Sequence, residues 1–265
     1  VGVSDVPVAN TVNDISVCDI DNDGLVSFDF NTVVSEVLGS QDPDSFSVSF
    51  FSTEEDALSN RNELTIPYVN SDNEEILYAR IYNNDNDNCF DVTNFRIAVF
   101  GTPILNGVLF EICDDFGDST DGITEIMLSS FDEEIINLQP GIDVSVSYHS
   151  TFEDADLGNN PLPEPYANTT AFAEQLFIRA ENTALQSCYQ VSQLDLIINP
   201  LPQVSDVSIF QCDEDGVSDG FTLFNLNEVA AEIANNQSNR IVTFFTSLND
   251  ALNDNNPLQA SNLSL

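Results

Sequence analysis

The sequence has no tryptophan, no lysine, one histidine and one methionine among its 265 residues, and its only basic side chains are five arginines. Each shortage removes a class of function. Against 45 Asp and Glu, five arginines leave a net charge of −40. Such a surface repels nucleic acid and anionic lipid, so neither is an expected partner. The absence of Trp weakens a sugar-stacking platform. No run of about 20 apolar residues occurs, so no membrane insertion of this segment is expected. No basic-then-apolar segment opens the chain, which therefore reads as internal to something longer. The lone histidine, His149, has no nucleophile or metal motif beside it, and a structural role is expected. What the chain does have is 42% apolar residues and 19 Phe, which argues for packed cores rather than a disordered acidic tail.

The chain repeats itself roughly every hundred residues. Cys18-Asp-Ile-Asp-Asn-Asp-Gly24 returns as Cys113-Asp-Asp-Phe-Gly-Asp-Ser-Thr-Asp-Gly122 and as Cys212-Asp-Glu-Asp-Gly-Val-Ser-Asp-Gly220. After each Asp-Gly comes a helical stripe: Phe30, Val33, Val34, Val37, Leu38; then Leu128, Phe131, Ile135, Ile136, with Asp132 breaking it; then Leu226, Val229, Ala230, Ile233, Ala234. An alternating strand and a polar turn follow, from Ser47 to Ala57, Ser145 to Ala155 and Ile241 to Ala251. His149 falls where the other copies have Phe51 and Phe245. A strand ending in Arg80 or Arg179, a second cysteine (Cys89, Cys188) and a closing strand complete the first two copies. Asn199-Pro-Leu-Pro202 reads as a short stiff linker. The expected organisation is two domains, 1–100 and 101–200, with a truncated third at 201–265. The expected fold class is all-β: tandem Ig-like antiparallel β-sandwiches, each with one short helical crossover.

Repeat position pairs Cys18 with Cys89 and Cys113 with Cys188, leaving Cys212 without a partner in the sequence. A bridge closing such a loop would contribute roughly 4 kcal/mol and would suit an oxidising, extracellular location. The alternative is free buried cysteines.

The acidic loops are the candidate metal sites. Asp19, Asp21 and Asp23 in the first copy, Asp114, Asp115 and Asp121 in the second, and Asp213, Asp215 and Asp219 in the third place carboxylates before a Gly turn. Ca²⁺ takes six to eight oxygens at about 2.3–2.6 Å, and clustered Asp can supply several. The match to an EF-hand covers only its first half, since Phe30 stands where the bidentate acid belongs. The competing reading is a solvated loop rich in Asx turns. Glu55-Asp56, Glu153-Asp154 and Asp250 read as turns or helix-start caps, with remote metal ligation as the minor alternative. Arg80 and Arg179 are expected to pair with carboxylates. No catalytic residue and no organic cofactor site stands out, and no enzyme activity is expected.

The Cys-Asp-x-(Asp/Asn)-x-Asp-Gly loop, the helix from Phe30, the Val-Ser-Phe-Phe-Ser-Thr-Glu-Glu-Asp-Ala strand and turn, the Pro-Tyr pairs, the Ile/Leu-x-x-Arg strand and Asn199-Pro-Leu-Pro202 together resemble the repeats of giant flavobacterial cell-surface gliding-motility adhesins. The resemblance covers essentially the whole chain. It implies export by the type IX secretion system, a cell-surface location, and attachment to surfaces or polysaccharides, with the secretion and gliding machinery engaged through other parts of the protein. It brings no catalytic residues. The function it implies is a stiff stalk or spacer within an adhesin. The alternatives are an array of carbohydrate-binding modules and the non-catalytic flank of a secreted hydrolase.

Overall fold

The computed structural model describes residues 3–139, 141–213, 216–217, 219–258 and 263–264. Its residues fall into two units, one formed by 1–111 with 125–197 and the other by 112–124 with 198–265.

The first unit opens with β1 (Ile15–Asp19), β2 (Ser27–Phe28), α1 (Asn31–Leu38), β3 (Phe46–Phe51), α2 (Glu54–Ser59), β4 (Tyr68–Val69), β5 (Glu74–Asn83) and β6 (Asn86–Gly101). Strands β1-β6-β5-β3 form one sheet, and β2-β4 form a second, two-stranded one. Alternation decides which side chains face inward. Leu77, Ala79 and Ile81 of β5 are buried, and so are Phe95, Ile97 and Val99 of β6. Between the sheets lies a ring cluster in which Phe30 touches Phe50 at 5.0 Å and Phe95 edge-on at 5.4 Å. Val33, Val37 and Leu38 of α1 close the same core.

The second copy follows with β7 (Val108–Asp114), β8 (Glu125–Ile126), a 3-10 turn at Leu128–Phe131, α3 (Asp132–Asn137), β9 (Val144–His149), α4 (Phe152–Leu157), β10 (Tyr166–Ala167), β11 (Ala173–Asn182) and β12 (Tyr189–Pro200). Its sheets repeat the order of the first copy: β7-β12-β11-β9 and β10-β8. Leu176, Ile178 and Ala180 stand in β11 as Leu77, Ala79 and Ile81 stand in β5. The architecture is thus all-β, with tandem sandwich-like copies and a few short helices.

Two details differ from the sequence-based expectation. Each copy has two helical segments rather than one. The turn after β3 or β9 winds into a six-residue helix because a threonine caps it: Thr53 accepts the N–H of Asp56, and Thr151 that of Asp154. The sheet is also not wholly antiparallel. β1 runs parallel to β6, with Ile15 opposite Ile97 and Cys18 opposite Phe100.

The second unit holds the second acidic loop and the third copy, whose elements are β13 (Leu223–Phe224), α5 (Asn227–Ile233), α6 (Leu248–Leu252) and β14 (Leu263–Ser264). The strand expected from Ile241 does not form. In the earlier copies this segment is a strand that pairs with β5 or β11.

Candidate functional site: the acidic loops and the cystine

In all three copies the first Asp after the cysteine closes the loop. An Asp19 oxygen accepts the Gly24 N–H at 2.6 Å, Asp114 that of Gly122 at 2.8 Å and Asp213 that of Gly220 at 2.9 Å. The Asp of each Asp-Gly pair makes a second turn. Asp23, Asp121 and Asp219 accept the N–H two residues on, at 2.8, 2.8 and 3.0 Å. These carboxylates therefore fix the loop backbone in each copy.

The copies then diverge. Asp19, Asp21 and Asp23 bring one oxygen each within 4.8 Å of one another, the only such acidic grouping among the described residues. Asp19 is buried, while Asp21 and Asp23 are exposed. A hydrogen bond shared with Asp19 and the charge of Asp23 push the Asp21 carboxyl above its ordinary range. In the second copy Asp114 is wholly buried, with one oxygen bound to Gly122 and the other without a hydrogen-bond donor among the described residues. Asp115 and Asp121 are exposed and do not converge with it. In the third copy Asp213 and Asp219 are exposed, and Asp215 lies outside the described residues. Three hard oxygens at one point, in a chain with 40 excess negative charges, suit a divalent cation such as Ca²⁺ in the first copy.

The first loop also holds the junction between copies. Asn22 donates to Thr102 O at 3.0 Å and accepts its N–H at 2.9 Å, and Asn182 of the second copy donates to Gly101 O at 2.9 Å. Gly101 is required here by space, because a Cβ would sit 2.8 Å from Asn22 Oδ1 and 3.0 Å from Ile142 Cγ2.

The disulfide is not the one expected. Cys18 is bonded to Cys188, with Cα atoms 5.4 Å apart and a sequence separation of 170, so the bond joins one copy to the next. Cys18–Cys89 and Cys113–Cys188 are both absent, and Cys89, Cys113 and Cys212 are free. The parallel pairing of β1 with β6 sets this partner choice. Cys18 lies opposite Phe100, at the end of β6 that leads into the second copy. Cys89 lies toward the start of β6, about 35 Å away at the rise of a strand, whereas a disulfide needs Cα atoms within about 7 Å.

That cross-link is the property for which the matching family is named. The profile of the Flavobacterium inter-domain disulphide bond domain matches residues 14–103, 109–202 and 208–264. The chain belongs to this family. It carries three copies of the inter-domain disulphide bond domain, an extracellular type of repeat. No curated protein matches the chain. Among solved structures, the similar ones include Drosophila N-cadherin EC1-4 at 13% identity, over 58% of this chain and 42% of that one, with a TM-score of 0.20. Human CDH23 EC21-23 is 11% identical over 71% and 72%, and human mucin-like protocadherin EC1-2 is 10% identical over 74% and 98%, both with TM-scores of 0.21. The chain thus spans less than half of the N-cadherin structure. Among the described residues no helix is long and apolar enough to cross a membrane.

The remaining candidates of the inter-domain disulphide repeats have structural partners. The Asp56, Asp154 and Asp250 side chains each accept a cap hydroxyl, from Thr53 and Thr151 at 2.7 Å and from Ser247 at 2.5 Å. Those hydroxyls, then an Asn side chain, hold each carboxyl below its ordinary range. Arg80 donates to Ala57 O and Asp87 O and stacks 3.6 Å over Phe90. Arg179 donates to Ala155 O and Asp156 O, pairs with Glu181 at 3.0 Å and stacks 3.6 Å over Tyr189. The expected carboxylate partner is therefore present for Arg179, while Arg80 caps helix-end carbonyls instead. His149 is buried, its Nδ1 2.7 Å from Asn159 O and its Nε2 2.9 Å from Ser147 Oγ.

Proposed function

We propose that this chain is a non-catalytic, load-bearing spacer within a cell-surface adhesin resembling the gliding adhesin SprB, exported by the type IX secretion system. The adhesin attaches cells to surfaces or polysaccharides during gliding, and this segment holds its binding parts away from the cell. The observation that carries the reading is the covalent link from one copy to the next through Cys18 and Cys188. A tie across a domain junction, reinforced by Asn22 and Asn182 around Gly101, limits bending there. Ca²⁺ bound by Asp19, Asp21 and Asp23 stiffens the same junction, because Asn22 belongs to that loop. The buried, donorless oxygen of Asp114 supports cation binding in the second copy.

The test is binding of the oxidised 265-residue chain to a glycan array and to polysaccharide-coated surfaces, with Ca²⁺ present. A spacer leaves both bare. Tight, saturable binding to one glycan, lost on changing one exposed aromatic, would overturn the spacer reading in favour of a carbohydrate-binding array.

A further inference from the structure

We propose that the Cys18–Cys188 bond is a force bypass that takes nearly all of the first two copies out of the load path. Cys18 sits on β1, the first strand of the first copy, and Cys188 immediately precedes β12, the last strand of the second. Tension applied to the two ends of the chain enters along β1 and crosses the bond. It leaves along β12 into Asn199–Pro202. Everything from β2 to β11, including the ring-packed core of the first copy, the core of the second and α1 to α4, belongs to a loop closed by the bond. A closed loop bears no end-to-end tension, whatever the strength of the sheets inside it.

Those sheets need the relief. β2–β4 and β8–β10 pair only two residues each, so they offer few hydrogen bonds against peeling. Once opened, a chain of net charge −40 repels itself and favours extension. The bypass separates two tasks. The covalent route sets the length under load, and the cores set the lateral contacts. Reduction of this one bond puts both cores back in series with the load.

The inference deepens the spacer reading, from which it takes its purpose, but its test reads only the bond. The oxidised 265-residue chain is held by peptide tags at its two ends and pulled in a single-molecule force experiment, before and after a phosphine reductant. The expected result is hidden length of about 600 Å, the reach of 170 extended residues, released after reduction and absent before it. C188S should behave as the reduced chain does, and C89S should keep the bypass intact. Release of the full hidden length from the oxidised chain would overturn the inference. So would added extension in C89S, because Cys18 would then be bonded to Cys89. A chain that shows the bypass and also binds glycans tightly would overturn the spacer reading while leaving the bypass standing.

Discussion

The Tyr148 hydroxyl donates to Asp132 Oδ1 at 2.9 Å, and each of these residues replaces an apolar one found in the sister copies. Asp132 stands where the first copy has Val34 and the third Ala230. Tyr148 stands where they have Phe50 and Phe244. The acid that interrupts the helical stripe of the second copy is thus matched by a hydroxyl that reaches it from β9. Burial pushes the Asp132 carboxyl up, and burial together with the Asp132 hydrogen bond pushes the Tyr148 phenol well up. The pair acts as one unit, so its energetics are non-additive. Y148F should cost about 1–3 kcal/mol, because it leaves a half-buried carboxyl without its donor. D132V in the Y148F background should recover much of that loss. A double-mutant cycle by denaturant unfolding reads the coupling, expected at about 0.5–3 kcal/mol.

Arg80 and Arg179 make a second prediction. Each guanidinium caps the carbonyl end of a six-residue helix and lies on an aromatic ring. Planarity and several donors are both in use, so lysine is a poor replacement. R80K and R80A should each destabilise the first copy, R80A by about 2–3 kcal/mol. Thermal unfolding of the two variants side by side checks this. R80K matching the parent would mean that charge alone matters.

His149 gives a pH dependence peculiar to the second copy. Burial, as the largest influence, pulls its pKa below the ordinary value, with the Asn159 carbonyl acting in the opposite direction. In the unfolded chain the ring protonates near pH 6.5, while in the folded chain it resists protonation until lower pH. The unfolded state therefore binds more protons across that window, and stability falls as pH drops below about 6.5, by at most about 1.4 kcal/mol per pH unit. H149F restores the residue type of Phe51 and Phe245 and removes the effect. The stability of the parent relative to H149F should fall between pH 7 and pH 5. A constant difference would mean that the ring does not titrate with folding.

How much of this was legible in the sequence depends on range. The inward alternation around Ile76–Arg80, the stripe of Val33 and Val37 and the cap at Thr53 are set by neighbouring residues, and each leaves a period or a signature. The six-residue α2 left no period, because a helix that short buries only Ala57. The direction of β1 left no trace at all. A strand reads the same whether its partner runs parallel or antiparallel, and the cysteine pairing hangs on that direction. Cys18 and Cys89 occupy strands of one sheet but toward opposite ends of it. Only the fold puts Cys18 at the junction, where Cys188 of the next copy meets it. Of the acidic loops, the Asp-Gly turns were readable. Convergence of Asp19, Asp21 and Asp23, with no such grouping around Asp114, depends on loop geometry.

That convergence supplies the last prediction, which separates metal binding from loop closure. Asp19 and Asp23 each hold a backbone N–H, so changing either one disturbs the loop with or without a cation. Asp21 is exposed and closes neither turn, and its neighbours raise its pKa. A raised carboxylate pKa means that stability is lost as pH rises through it, so at neutral pH the Asp21 charge opposes the fold when no metal is present. D21N in chelator should therefore unfold at the same temperature as the parent or slightly above it. With saturating Ca²⁺ the parent should gain stability by mass action, about 2.7 kcal/mol at a hundredfold excess over Kd, and D21N should gain much less. Mg²⁺, which demands stricter octahedral geometry, should shift the parent less than Ca²⁺ does. Equal shifts in parent and variant would assign the Ca²⁺ effect to general screening of the −40 charge and reduce the acidic loop to a turn-former.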